Sequence, residues 1–197
     1  MSLFAGATGV LGGTFDPVHL GHIAVAAQCR ERLDLAEVRL VPSFLPPHRQ
    51  PPVAPAADRL AMTRLAAERD RGLVVDDIEV RRGGTSYSVD TLRELREPGR
   101  RLVLLLGYDA AIELSSWHQA VEILALAEVV VFNRTGAGRD ADRRGLPAGA
   151  AVIEVDSPDI SATEVREWLA AGLDMSGMLA APVLAYIHAR GLYGAGK

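Results

Sequence analysis

Two histidines three residues apart, His19 and His22, sit in the string Gly12-Gly13-Thr14-Phe15-Asp16-Pro17-Val18-His19-Leu20-Gly21-His22. Side chains three apart share one side of a helix, so a helix opening near Gly21 presents both rings together. Neutral imidazoles donate hydrogen bonds to phosphate oxygens without a fixed positive charge. The two glycines before them let a ligand approach the backbone closely, and the N-terminus of a helix attracts anions. A strand, a glycine turn and a helix start with two imidazoles at the join make a site for a polyphosphate. Lysine occurs once, at Lys197, among 21 basic residues, so phosphate handling falls to arginine, histidine and backbone amides.

An overlapping string, Gly6-Ala7-Thr8-Gly9-Val10-Leu11-Gly12, has the outline of a dinucleotide-binding turn. That turn needs a strand before it and a helix opening inside it. Here residues 2–5 would be the strand, and the helix would run through Gly12 and Gly13 into Pro17, at high cost. An NAD(P)-dependent oxidoreductase is therefore a disfavoured rival.

The elements that must position these groups follow from periodicity. Residues 7–11, 38–41, 73–75, 101–106, 129–132 and 151–155 read as strands. Residues 21–33, 59–69, 89–96, 110–114, 163–171 and 183–190 read as helices. Asp58 and Ser88 are the expected N-caps of the second and third, and Asp109 can cap the fourth. The consecutive aliphatic residues at 102–106 imply burial on both faces of a sheet. Such strands separated by helices predict an α/β fold with a doubly wound parallel sheet. The proline-dense stretch 42–55 fits neither regular element. The Gly/Arg/Ala-rich stretch 135–148 is expected to be mobile.

With 197 residues the chain is expected to form one domain over 1–197. Hydrophobic residues at 49% and charged residues at 23% exclude wholesale disorder. No apolar run approaches the roughly 18–20 residues of a membrane span, and no charged region precedes Leu3-Phe4 as in a secretory signal. Cys29 stands alone, so it forms no internal disulfide or cysteine zinc site, which fits the reducing cytoplasm. A net charge of −4 without a block of like charge argues against a partner that is nucleic acid.

The string from Gly12 to His22 resembles the signature of nucleotidylyltransferases with the HxGH motif, in the variant of the bacterial nicotinate-mononucleotide adenylyltransferases. Their phosphopantetheine-directed cousins typically carry Ser at the position of Thr14 and Thr at that of His19. The resemblance implies a Rossmann-like nucleotidylyltransferase fold, with Gly12, Gly13, Thr14 and Phe15 lining ATP and His19 and His22 acting on its α- and β-phosphates. Asp159-Ile160-Ser161-Ala162-Thr163-Glu164-Val165-Arg166 resembles the family's Ile-Ser-Ser-Thr…Arg motif, with Ala162 in place of the second serine. Ser161 and Glu164 have the spacing of a capping box. The helix start they cap, with Thr163 and Arg166, is implied to take the pyrophosphate end.

Further segments extend the likeness. Gly107-Tyr108-Asp109 follows the strongest strand, at the edge where parallel sheets bind ligands. It resembles the family's Gly-Ala-Asp element, whose aspartate addresses the ATP ribose. Thr85-Ser86-Tyr87 resembles the segment around the mononucleotide, with Thr85 and Tyr87 as implied contacts. Trp117 resembles the tryptophan that stacks on the pyridine ring, for which a large aromatic face is suited. Pro46-Pro47-His48-Arg49 resembles the Pro-Pro-His-Lys loop, with Arg49 in place of its lysine, and the resemblance implies His48 and Arg49 as phosphate contacts. Arg134 stands where the family has an Ala-Arg-Pro-Gly turn, although the proline is missing.

The resemblance implies adenylyl transfer from ATP to nicotinate mononucleotide. The acceptor's 5′-phosphate attacks the α-phosphorus, and pyrophosphate leaves. A phosphate monoester, whose second pKa is about 6, needs no protein nucleophile for this. Mg²⁺ travels with ATP, and no protein metal site is expected. Nicotinamide mononucleotide or another phosphorylated acceptor, and a non-catalytic nucleotide-binding homologue, are the alternatives. The oligomeric state is left open, a homo-oligomer included.

Overall fold

Side chains along a strand alternate between the two faces of a sheet. At residues 102–106 that alternation sends Val103 and Leu105 to one hydrophobic cluster and Leu102, Leu104 and Leu106 to another. The computed structural model describes residues 2–47, 50–134 and 145–195. Its strands are β1 (Thr8–Gly13), β2 (Glu37–Pro42), β3 (Leu73–Val75), β4 (Leu102–Gly107), β5 (Glu128–Arg134) and β6 (Ala151–Val155). Its helices are α1 (Leu20–Leu33), α2 (Ala56–Ala67), α3 (Ile78–Arg82), α4 (Ser88–Leu95), α5 (Tyr108–Ile112), α6 (Ala120–Leu126), α7 (Ala162–Ala170) and α8 (Ala181–Arg190).

The six strands form one sheet in the order β3-β2-β1-β4-β5-β6, and every pairing is parallel. The predicted α/β, doubly wound, Rossmann-like architecture is therefore the observed one. Apolar residues of α1, α2, α7 and α8 cover one face and those of α3 to α6 the other. The strand order reverses between β1 and β4, and ligands in such sheets bind at the carboxyl ends beside that reversal.

Several boundaries differ from expectation. Strand β1 runs on through Gly12 and Gly13, which pair with Val41 and Pro42 of β2. The two glycines are thus the last rungs of a strand, and the turn begins at Thr14. The ladder to β2 outweighs the weak strand preference of glycine. Gly9 lies in the same strand, where a Cβ would meet the Leu35 and Val38 side chains at 2.9 and 3.0 Å. It serves packing, and the dinucleotide-turn reading of residues 6–12 is overturned. Helix α2 starts three residues early, with Pro55 at its N-cap. Asp58 is not a cap: its buried carboxylate accepts hydrogen bonds from Tyr186 Oη at 2.8 Å and Arg190 Nε at 3.1 Å. Tyr87 occupies the N-cap of α4 in place of Ser88, and Gly107 that of α5 in place of Asp109. Helices α3 and α6 were not foreseen. The expected mobile stretch 135–148 falls mostly outside the described residues.

Candidate active site

Strand β1 delivers the chain to the carboxyl edge of the sheet, where Gly13 leaves room for the ring of Phe15. A Cβ on Gly13 would lie 2.9 Å from that ring. Phe15 has a positive φ of 48°, and its ring is buried edge-on against His22, with centroids 5.0 Å apart. A ligand can therefore meet Phe15 only through its backbone. His19 takes the N-cap position of α1, and its backbone N–H donates to His22 Nδ1 at 3.3 Å. In the neutral form of His22 that contact leaves the ring proton on Nε2. The two imidazoles stack with centroids 3.7 Å apart and planes inclined by 26°. Gly21 leaves the stack uncrowded: a Cβ there would sit a tight 3.1 Å from both His19 Nδ1 and the Pro158 carbonyl oxygen.

His19 is 3% exposed, and its Nδ1 is buried without a hydrogen-bond partner among the described residues. Burial, with a smaller contribution from the nearby Arg134 charge, lowers its pKa from 6.5 to about 4. The ring is neutral at pH 7 as a result. A neutral His19 avoids charge repulsion with the ring stacked on it at 3.7 Å while keeping an N–H donor.

The second half of the site comes from about 140 residues further on and is tied to the first by hydrogen bonds. Ser161 is the N-cap of α7 and accepts from the Glu164 amide at 3.1 Å, as its spacing with Glu164 predicts. Arg166 Nη1 donates to the Asp16 carbonyl at 2.8 Å, and Nη2 to Thr163 Oγ1 at 3.1 Å. The motif's own helix is held from the same side, since Leu20 N–H donates to Met178 O at 2.9 Å. The amide side chain of Gln28 exchanges hydrogen bonds with the backbone of Asp156, just past β6. Arg134 ends β5 and pairs with Asp159 at 3.2 Å. His19, His22, Arg134, Ser161, Thr163 and Arg166 are thereby brought to one end of the sheet.

Tyr87 and Trp117 pack against the second hydrophobic cluster, on the other face of the sheet, with Thr85 close by in sequence. Thr85 is exposed and bridges Leu45, so the loop after β2 and the segment before α4 run side by side. The Tyr87 ring packs at 4.5 Å on His118, next to Trp117. Trp117 is half-buried against the second cluster, part core and part surface. Gly107 closes β4, and Asp109 lies exposed in the first turn of α5. His48 and Arg49 lie outside the described residues.

Two residues that sequence reasoning passed over organise this edge. Asp16, 6% exposed, accepts from the amides of Val53 at 2.6 Å and Ala54 at 3.1 Å and from Tyr193 Oη at 2.7 Å. The Asp-Pro dipeptide was its only signal, and that marks a turn without naming partners. Arg59, 1% exposed, donates to four backbone carbonyls. It lies in an ordinary helical pattern that gave no hint of this. Cys29 is buried, which pushes its thiol up to about 12 and leaves it inert as a nucleophile at neutral pH.

Comparison with known proteins places this geometry among relatives. A family model described as cytidylyltransferase-like matches residues 10–168. A protein of Aeromonas hydrophila named "Probable nicotinate-nucleotide adenylyltransferase" is 40% identical, covering 94% of this chain and 96% of its own. One of the same name from Aeromonas salmonicida is 42% identical with the same coverage. Among solved structures, Plasmodium falciparum nicotinic acid mononucleotide adenylyltransferase complexed with NaAD superposes with a TM-score of 0.77. It is 18% identical and covers 95% of this chain and 97% of its own, a likeness of fold.

Proposed function

The chain belongs to the nicotinate-nucleotide adenylyltransferase family, and we propose that it transfers the adenylyl group of ATP to nicotinate mononucleotide, releasing pyrophosphate in NAD biosynthesis. One observation carries the reading: Arg166 of α7 reaches the carbonyl of Asp16, inside the turn that leads to the stacked His19 and His22. A polyphosphate laid between α1 and α7 meets imidazole donors on one side and a capped helix start with a guanidinium on the other.

In this reading the acceptor's 5′-phosphate attacks the α-phosphorus in line. The bond to the bridging oxygen breaks, and the electron pair leaves with pyrophosphate. No side chain need accept a proton, because a phosphate monoester is largely dianionic near neutral pH. The protein's work is alignment and stabilisation of charge on the transferring and leaving groups. His19 and His22 serve the α- and β-phosphates, and Ser161, Thr163 and Arg166 the leaving end, with Arg134 alongside. Gly12, Gly13, Thr14 and the Phe15 backbone line the nucleotide, and Gly107 and Asp109 its ribose side. Thr85, Tyr87 and Trp117 hold the mononucleotide, the indole stacking on its ring. His48 and Arg49 are proposed as further phosphate contacts.

Magnesium enters as part of the substrate, neutralising phosphate charge. No three His, Cys, Asp or Glu side chains converge among the described residues, so the triphosphate and water supply its ligands in this reading. No helix among the described residues is long and apolar enough to cross a membrane. We take 1–197 as one domain acting in the cytoplasm on two nucleotides, without nucleic acid or a membrane.

Pyrophosphate release from MgATP, measured with nicotinate mononucleotide, nicotinamide mononucleotide and phosphopantetheine in turn, tests the proposal. The acid nucleotide should be the best acceptor. Faster release with the amide would reassign the acceptor, and none with any of the three would leave a nucleotide-binding protein.

A further inference from the structure

Arg59 is the most deeply buried charged side chain among the described residues, at 1% exposure. Its guanidinium makes no ion pair among them and instead donates to four carbonyl oxygens. Nε reaches Ala54 at 3.1 Å, Nη1 reaches Thr14 at 2.7 Å and Ser43 at 2.6 Å, and Nη2 reaches Phe44 at 2.9 Å. The Asp16 charge partly offsets the cost of burial. A leucine or methionine could fill this volume without desolvating a charge, so packing alone gives no reason for arginine here.

The four carbonyls belong to two loops, the turn after β1 and the two ends of the connection between β2 and α2. Thr14 is in the turn after β1, on the ATP side of the proposed site. Ser43 and Phe44 follow β2, and Ala54 precedes α2. The loop after β2 is linked onward to the acceptor side: Phe44 N–H donates to Ser86 Oγ at 2.9 Å, and Ser86 N–H donates to Leu45 O at 2.8 Å. A chain of contacts thus runs from Thr14 through Arg59 and Phe44 to Ser86, between Thr85 and Tyr87. A planar fork of fixed donors can hold carbonyls in two loops at set angles, which a lysine ammonium, a point charge on a flexible stem, cannot do.

We propose that Arg59 is the positioning residue that fixes the spacing between adenylyl donor and acceptor, locking the turn after β1 to the loop after β2 while touching neither substrate. The inference rests on the adenylyl-transfer reading. In-line attack needs the reacting atoms about 3–3.5 Å apart, and a misplacement of about 1 Å costs on the order of 100-fold in rate. Loosening this link should therefore act on the chemical step more than on the binding of either substrate alone.

The test compares R59K, S86A and R59K/S86A with the parent protein in single turnover at saturating MgATP and nicotinate mononucleotide. Binary dissociation constants are measured separately, for nicotinate mononucleotide and for a non-transferable α,β-methylene ATP analogue. R59K should lower the saturated rate roughly 10- to 100-fold while each binary constant changes less than about threefold. Because both residues act in one chain of contacts, the double variant should lose less than the product of the single losses. A rate within threefold of the parent, a loss explained by weaker binding of one substrate, or multiplicative losses would overturn the proposal. Should R59K fail to fold, S86A decides alone: a slower saturated rate with intact binding supports the link, and an unchanged rate refutes it. An inactive parent would sink the adenylyl-transfer reading together with this proposal, whereas an active parent with an unaffected R59K sinks only the latter.

Discussion

His19 shows how burial sets the chemistry of a single side chain. Its pKa is lowered from 6.5 to about 4, first by desolvation and then by the Arg134 charge. The unfolded chain therefore takes up this proton first as the pH falls. The stability tied to neutral His19 is intact above about pH 6.5 and is lost between there and about pH 4, by roughly 3 kcal/mol at most. Urea denaturation of the parent and of H19N at pH 7.5 and pH 4.5 checks the sign. Over that interval the parent should lose about 2 kcal/mol more than the variant. Parallel losses would mean that His19 titrates as it does in the unfolded chain. Gly21 belongs to the same scale, for a side chain at position 21 would crowd both the His19 ring and the Pro158 carbonyl at 3.1 Å.

Among the elements, α7 repays separate attention because its start is both a structural cap and the proposed pyrophosphate grip. Ser161 accepts from the Glu164 amide, satisfying one of the helix's unpaired donors. S161A should lower stability by about 1 kcal/mol, which for a chain of this size is a fall of about 2–4 °C in melting temperature. Differential scanning calorimetry measures it, and an unchanged melting temperature would remove the capping role. The neighbouring strand end teaches a different lesson. Gly12 and Gly13 look like a turn in sequence yet form the last rungs of β1, because β2 extends far enough to pair with both. Asp58 has the sequence character of a cap and becomes instead the buried acceptor that ties α2 to Tyr186 and Arg190 of α8.

At the scale of the molecule, the proposed site is closed by parts of the chain that lie far apart in sequence. Asp16 collects amides from Val53 and Ala54 and the hydroxyl of Tyr193, while its own carbonyl holds Arg166. The segment after α8 is thus fastened beneath the motif that begins the site. Y193F removes a hydrogen bond to a buried carboxylate and should cost about 1.5–3 kcal/mol in chemical denaturation. Turnover should fall with it, since the turn holding His19 loses an anchor. Full stability in Y193F would show that the Tyr193–Asp16 hydrogen bond does not anchor this turn.

Much of the protein was legible before its structure. Alternating apolar runs and helical spacing determined a parallel α/β sheet, because strands buried on both faces leave a signal that survives without neighbours. The eleven residues from Gly12 to His22 pointed to one half of the proposed phosphate site through ring spacing and a helix start, whereas Ser161–Arg166 alone reads as a capped helix and joins that site through its family resemblance. Tertiary structure decided the rest. It chose where β1 ends, through a partner strand, and whether Asp58 caps a helix or joins two. It gave Asp16 and Arg59 their work through carbonyls, amides and a hydroxyl in distant loops, partners that no local pattern encodes. It also lowered the pKa of His19, since desolvation depends on what the whole fold packs around the ring.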